Sequence, residues 1–148
     1  MKIDTIYNEN CLETMARMAD DCIDLTVTSP PYDTMRDYKG FSFDFESVAK
    51  ELARVTKDGG IIVWIVGDQT KDFCESLSSF KQAIFFVEQC GMRLLDTMIY
   101  QKSAGPFPGV MRYPSRFEYM FVFSKGKPKT FNPIKDVFSK RGGETRSR

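Results

Sequence analysis

Histidine is absent from the 148-residue chain, and its absence excludes much of the usual side-chain catalysis. A chain without imidazole has no Ser–His or Cys–His nucleophilic pair, no histidine proton shuttle and no histidine-based zinc site. Only four cysteines are present, with no closely spaced pair, at Cys11, Cys22, Cys74 and Cys90. Because each has apolar neighbours, we predict buried free thiols, no metal site and a reducing, cytoplasmic setting.

Long apolar runs and a strong net charge are also missing. The longest apolar run, Ile61–Val66, has six residues, which is too short to span a membrane. The net charge is +1, but residues 125–148 hold eight Lys/Arg against two acids, whereas residues 1–124 hold thirteen against eighteen. A basic end on an acidic body predicts either a contact with a polyanion or a solvated tail.

Short apolar runs predict strands, and apolar residues spaced three or four positions apart predict helices between them. We predict strands at residues 5–7, 23–28, 61–66, 94–101 and 117–124. Helices are predicted after Asn10, after Asp44 or Ser47, and over residues 71–90. No regular structure is predicted after Lys125.

This order of elements predicts an α/β domain with a doubly wound, mostly parallel sheet and a C-terminal antiparallel hairpin. The continuously apolar strand Ile61–Val66, with Trp64 in the core, is typical of a sheet covered on both faces. Gly59 and Gly60 are predicted to end the preceding helix. The third helix is predicted to carry an apolar stripe of six residues: Phe73, Leu77, Phe80, Ile84, Val87 and Cys90.

The segment Ser29-Pro30-Pro31-Tyr32 directly follows a predicted strand. Because proline fixes φ and has no N–H, this loop is stiff and its carbonyls have no donors beside them. A hydroxyl and an aromatic ring next to such carbonyls suit a planar ligand with an exocyclic amino group, as in a nucleobase. The same residues also fit a simple strand terminator. Ligands of doubly wound sheets bind beyond the carboxyl ends of strands, so Gly67-Asp68 is a second candidate loop.

Five linked segments carry a family resemblance and occur in this order: Tyr7–Leu12, Asp24–Tyr32, Leu52–Gly60, Val63–Asp68 and Phe117–Gly126. Together they resemble the amino-methylating (cytosine-N4 or adenine-N6) DNA methyltransferases of the permuted type. In that type the catalytic Ser-Pro-Pro-Tyr motif precedes the cofactor motif. The resemblance implies an incomplete Rossmann-like methyltransferase fold and a prokaryotic or phage-encoded protein, with DNA and S-adenosylmethionine as its partners.

The resemblance further implies that a DNA base is flipped out of the duplex and methylated on its exocyclic amine. Ser29 Oγ and the Pro30 carbonyl would accept hydrogen bonds from the amino group, and Tyr32 would stack on the base. Pro31 completes the predicted catalytic motif. Serine in the first motif position favours cytosine N4, and adenine N6 is the alternative.

Two departures from the family pattern stand out. The usual Gly-Asp cofactor pair is replaced by Glu9-Asn10, so Asn10 and Asp68 are the predicted cofactor contacts, and each is equally interpretable as a local cap. The Phe-x-Gly-x-Gly cofactor motif is absent. The chain therefore resembles the N-terminal catalytic part only, as a fragment or the product of a shortened gene.

We divide this part into a catalytic region, residues 1–126, and a basic tail or start of a target-recognition region, residues 127–148. Missing neighbouring strands would leave an exposed sheet edge, which predicts weak cofactor binding and a possible homo-oligomer. A DNA-binding remnant that cannot methylate is the alternative function. Arg112 and Arg116, in a Gly/Pro-rich loop, are predicted either to contact phosphates or to solvate that loop.

Overall fold

The computed structural model of the chain describes residues 2–31, 43–103 and 113–132, together with the backbone of residues 137–138 and 145–146. Three helices are present in this part: α1 (Cys11–Ala16), α2 (Phe45–Val55) and α3 (Ser78–Glu88). The strands are β1 (Ile23–Thr28), β2 (Thr56–Val66), β3 (Thr70–Lys71), β4 (Cys74–Glu75), β5 (Arg93–Gln101), β6 (Phe117–Ser124), β7 (Val137–Phe138) and β8 (Thr145–Arg146).

The main sheet has four strands in the order β1-β2-β6-β5. Only β1 and β2 are parallel, whereas β6 runs antiparallel to both β2 and β5. The α/β class and the C-terminal hairpin of β5 and β6 are confirmed. The mostly parallel arrangement is not found in the described sheet, because β6 lies between β2 and β5 and runs opposite to both.

The core lies between the helices and one face of the sheet. Alternate residues of β2, namely Ile62, Trp64 and Val66, are fully buried, and Phe123 of β6 joins them. The ring of Phe86, from α3, lies 5.2 Å from Trp64 and 4.8 Å from Phe123 between centroids. These contacts confirm Trp64 as a core residue and place α3 against β2 and β6.

The opposite face of the sheet carries apolar side chains that no described helix covers. Leu25 and Val27 of β1 are 58% and 60% exposed, and Ile61, Val63 and Ile65 of β2 are only half-buried. The prediction of a sheet covered on both faces is therefore wrong for the described residues. We call this surface the uncovered face, and define it by these five side chains.

One predicted strand is not found, and one predicted helix end lies inside a strand. Residues 5–7 form no strand, and Ile6 is almost fully exposed. Gly59 and Gly60 do not end a helix but lie inside β2, where the register with β1 shifts. Gly59 has φ of +80°, and a Cβ on Gly60 would lie 3.0 Å from the Asp24 carbonyl oxygen. Glycine is thus required here by a strand irregularity and a close backbone approach.

The third helix begins at Ser78, seven residues later than predicted. Asp72 and Phe73 have φ of 50° and 64°, which is incompatible with a right-handed helix, and they form the turn between β3 and β4. The prediction that the apolar stripe of α3 faces the core is also wrong, because Phe80, Ile84 and Val87 are exposed. The residues that α3 buries are Ser79, Gln82, Ala83 and Phe86.

Smaller predictions have mixed outcomes. The four cysteines are free, but Cys11 and Cys74 are exposed, and Cys22 and Cys90 are only half-buried. Regular structure exists after Lys125, since β7 pairs with β8. Among the described residues, none of the helices combines the length and apolar character needed to cross a bilayer.

The buried contact between Trp64 and Gln82 provides a test of this packing. The Trp64 Nε1–H donates to Gln82 Oε1 at 2.8 Å. We expect Gln82→Ala to lower the free energy of unfolding by about 1–3 kcal/mol, because the buried indole N–H loses its acceptor. Urea titration followed by tryptophan fluorescence measures the loss. The exposed Gln89→Ala is the control, and equal stability of the two variants would contradict the packing.

Candidate active site

The carboxyl ends of β1 and β2 lie at the same end of the sheet, because the two strands are parallel and Thr28 pairs with Trp64. Ser29-Pro30-Pro31 follows the first strand and Gly67-Asp68 follows the second. The structure thus brings the two predicted loops together. Ser29 is exposed, Pro30 is buried and Pro31 is half-buried, so the stiff segment is anchored with its hydroxyl residue toward solvent. Tyr32 lies outside the described residues.

Asp68 is held by the serines at the start of α3. Its Oδ1 accepts hydrogen bonds from the Ser79 amide at 3.0 Å, from Ser76 Oγ at 3.1 Å and from Ser78 Oγ at 3.2 Å. Its Oδ2 accepts from Ser79 Oγ. The carboxylate therefore caps α3, whose own N-cap residue, Leu77, makes no side-chain cap.

The environment of Asp68 favours its charged form. Burial raises the pKa of this carboxyl, but the hydrogen bonds from Ser79, Ser76 and Ser78 outweigh burial and lower the pKa below its ordinary value. The partial positive charge at the N-terminus of α3 acts in the same direction. A fixed negative charge therefore stands at the carboxyl end of β2.

Asn10 is the N-cap of α1, and its Oδ1 accepts a hydrogen bond from the Leu12 amide at 3.0 Å. Beside it, the Glu9 carboxylate accepts hydrogen bonds from Thr14 and Arg17, and both lower the pKa of Glu9. Asn10 and Asp68 thus each use an oxygen to cap a helix. For a cofactor they retain the amide group of Asn10 and one lone pair each on Asn10 Oδ1 and Asp68 Oδ2, because Asp68 Oδ1 already accepts three hydrogen bonds.

A groove of about 360 Å³ opens beside the end of β2. Its wall combines Gly67 and Asp68 with Tyr113 and Arg116, which precede β6, and with Phe117, the first residue of β6. Arg116 is exposed there, which places a cation at the carboxyl end of the strands. Sequence reasoning noted Arg116 but missed Tyr113, whose loop position carries no periodic signal.

Lys102 and Glu118 form an ion pair behind this groove, with 3.1 Å between Nζ and Oε1. The Lys102 amide also donates to the Arg116 carbonyl at 2.8 Å, which closes the base of the loop between β5 and β6. A Cβ at Gly67 would lie 3.4 Å from Glu118 Cγ. Glycine therefore lets the Glu118 side chain lie close to the end of β2. Sequence reasoning missed Lys102, because cross-strand pairing alone brings it to Glu118.

The cap made by Asp68 predicts a pH-dependent stability. We expect Asp68→Asn to lower the free energy of unfolding by about 1 kcal/mol at neutral pH, since hydrogen bonds to a charged carboxylate are stronger than those to a neutral amide. The folded pKa lies below the unfolded value of about 3.9, so the carboxylate contributes fully above that value. Its contribution is lost as the pH falls through the folded pKa. The difference in unfolding free energy between Asp68→Asn and the unaltered chain should therefore disappear at acidic pH.

Urea titrations at neutral and acidic pH test this expectation. Asp72→Asn is the matched control, because Asp72 is an exposed aspartate in the neighbouring β3–β4 turn. If the difference in unfolding free energy between Asp68→Asn and the unaltered chain stays constant down to the lowest pH, the carboxylate does not act as a charged cap.

The chain is similar in sequence and in fold to known DNA methyltransferases. M.BamHII, an orphan methyltransferase of Bacillus amyloliquefaciens, is 60% identical over 117 residues, which are 78% of this chain and 44% of that protein. The PvuII DNA methyltransferase, described as cytosine-N4-specific, has a TM-score of 0.71 at 21% identity and matches 93% of this chain and 58% of that one. TTHA0409, a putative DNA modification methylase from Thermus thermophilus complexed with S-adenosyl-L-methionine, has a TM-score of 0.60 at 23% identity, over 84% of this chain and 56% of that one.

These structural neighbours confirm the Rossmann-like methyltransferase fold. The chain spans less than half the length of the curated relatives it matches. The N6/N4 methyltransferase family model, described as DNA methylase, matches residues 23–147. Since this match covers most of the chain, the chain belongs to the DNA methylase family.

Proposed function

We propose that the intact protein methylates the exocyclic amino group of a DNA base that is flipped out of the duplex. The observation that carries this proposal is the Ser29-Pro30-Pro31 segment at the carboxyl end of β1, beside the end of β2, in a DNA methylase chain. S-adenosylmethionine, the compound in the TTHA0409 complex, is the proposed methyl donor. The relative from Bacillus supports a prokaryotic cytoplasmic setting.

In this mechanism the protein orients the amino nitrogen. Ser29 Oγ and the Pro30 carbonyl accept one N–H each, which favours a pyramidal nitrogen whose lone pair points away from the loop. The buried Pro30 ring holds that carbonyl in place, and neither proline offers a competing N–H. Tyr32 stacks on the base. The bound cofactor supplies an electrophilic methyl group, so no covalent bond to the protein is needed.

We favour cytosine N4 as the acceptor because the first motif residue is Ser29. The cytosine-N4 specificity of the PvuII enzyme, whose fold is similar, supports this choice. Adenine N6 is the alternative, and it needs the same geometry at the amino nitrogen. The arrangement of hydrogen-bond acceptors at Ser29 and Pro30 therefore serves either base.

The cofactor is proposed to contact Asn10 and Asp68 through the groups that their capping bonds leave available. Further contacts are proposed to come from chain that packs on the uncovered face, because contiguous exposed apolar side chains on adjacent strands mark a surface that packs against another segment. We propose that the rest of the intact protein packs there and adds a strand along β1, which is an outer strand of the described sheet. The short span of this chain relative to its relatives supports this division.

DNA is the proposed macromolecular partner. Arg116 in the groove and the basic residues 127–148 are the proposed phosphate contacts, the latter forming a tail or the start of a target-recognition region after residues 1–126. A DNA-binding remnant is the second candidate function, favoured by the capping bonds that already occupy Asn10 and Asp68. A homo-oligomer is proposed to form through an edge of the described sheet, and its two outer strands, β1 and β5, are the candidates for the contact.

Replacement of Tyr32 tests the proposed chemistry. In the intact protein, Tyr32→Ala should slow methylation by roughly 5- to 150-fold, the equivalent of about 1–3 kcal/mol of base stacking, with little change in stability. Tyr100→Ala is the matched control, because Tyr100 is an exposed tyrosine on β5, the outer strand opposite β1. Turnover of Tyr32→Ala equal to that of the control, or an unfolded variant, would show that the ring does not act on the base.

Mass analysis of nucleosides from DNA treated with the intact protein and cofactor identifies the product. We expect N4-methylcytosine. If N6-methyladenine alone accumulates, the preference for cytosine is wrong and the amino-group mechanism stands. If DNA is bound but no methylated nucleoside forms, the second candidate function is correct.

The uncovered face predicts weak cofactor binding by the 148 residues alone. With much of the cofactor facing water, burial does not compensate for ordering it. Calorimetric titration of S-adenosylmethionine should therefore give little heat with this chain and clear saturation with the intact protein. Micromolar binding by a monomeric 148-residue chain would contradict the division of the site.

A further inference from the structure

Helix α3 exposes its apolar stripe and buries polar residues. Phe80, Ile84 and Val87 are 42%, 53% and 40% exposed, and their spacing places them on one side of the helix. On the buried side, Ser79 is bonded to Asp68 and Gln82 to Trp64. These buried polar contacts fix the rotation of the helix, so the exposed stripe is a defined part of the fold.

The stripe continues across a groove onto the edge strand β5. A cavity of about 380 Å³ separates the two elements and is lined mainly by apolar side chains. Leu94 and Thr97 form its β5 side, and every residue of that strand is exposed. A contiguous apolar surface at a sheet edge is typical of an association site. We call it the α3/β5 surface, defined by Phe80, Ile84, Val87, Leu94 and Thr97.

Two opposite charges lie along the outer rim of the stripe. Lys81 and Glu88 are seven residues apart, so they lie on the same side of α3, about 10 Å apart along its axis. Both are exposed, and within the part of the chain that the structure describes neither has an ion-pair partner. Lys81 Nζ donates only a long hydrogen bond of 3.3 Å to the Ser76 carbonyl.

We propose that a second copy of this chain docks on the α3/β5 surface, with the two α3 helices antiparallel about a two-fold axis. If the axis passes between Ile84 and Phe85, Lys81 faces Glu88 of the second copy, and the symmetric pair forms at the same time. Phe80 then packs near Val87 of the second copy. The surface is thus complementary to itself in both charge and apolar pattern, as an isologous interface requires.

The charge pattern also distinguishes this occupant from others. A nucleic acid needs positive charge along its contact, whereas this rim carries one charge of each sign. The proposed dimer leaves β1 open, because β1 and β5 are opposite outer strands of the sheet. It therefore goes beyond the methylation proposal and does not depend on it.

Sedimentation velocity of the 148-residue chain over a range of concentrations tests the proposal. We expect a monomer–dimer equilibrium that Ile84→Glu abolishes, because two carboxylates would meet at the axis. Lys81→Glu should weaken the dimer by roughly 4- to 30-fold, and the double variant Lys81→Glu/Glu88→Lys should restore it. Circular dichroism confirms that each variant is folded.

Val27→Glu, on the uncovered face, is the matched control and should leave the dimer intact. A chain that stays monomeric at all concentrations would overturn the proposal. So would an association that survives Ile84→Glu but is lost in Val27→Glu, which would place the second copy on the uncovered face. Failure of the double charge reversal to restore the dimer would overturn the antiparallel arrangement.

Discussion

The parallel pairing of β1 with β2 is the constraint on which the candidate site depends. It places Thr28 opposite Trp64, so the loops that follow the two strands start at the same end of the sheet. Trp64 anchors this pairing, since its ring packs on Phe86 and its N–H is bound by Gln82. Without this anchored register, Ser29 and Asp68 would be unrelated surface residues.

Two polar contacts, at Asp68 and at Gln82, determine which side of α3 faces solvent. Asp68 binds the first turn of the helix and Gln82 binds the buried indole, so the helix rotates its polar residues inward. Buried polar groups without partners are costly, which makes these bonds stronger determinants of orientation than the apolar stripe. The exposed Phe80, Ile84 and Val87 are the consequence. The hydrogen bonds that hold the loop after β2 therefore also leave the proposed docking surface exposed.

Much of the fold was predictable from the sequence because its signals are local. Residues 23–28, the cap at Asn10 and the hairpin of β5 with β6 follow from short-range patterns, and all three are found. The prediction at Gly59-Gly60 was wrong because two glycines suit a helix end and a strand irregularity equally well. The orientation of α3 was not predictable, since it depends on a hydrogen bond between Trp64 and Gln82, eighteen residues apart.

The candidate site was predictable in its loops but not in its surroundings. The stiffness of Ser29–Pro31 follows from proline chemistry and its site role from the family resemblance, whereas the Lys102–Glu118 pair exists only once β5 and β6 are paired. The two exposed apolar surfaces lie at opposite sides of the sheet. Two strands, β2 and β6, separate β1 from β5, a distance of about 14 Å at the usual strand spacing. Packing of further chain along β1 and docking of a second copy at β5 therefore do not compete, and each can proceed while the other surface is occupied.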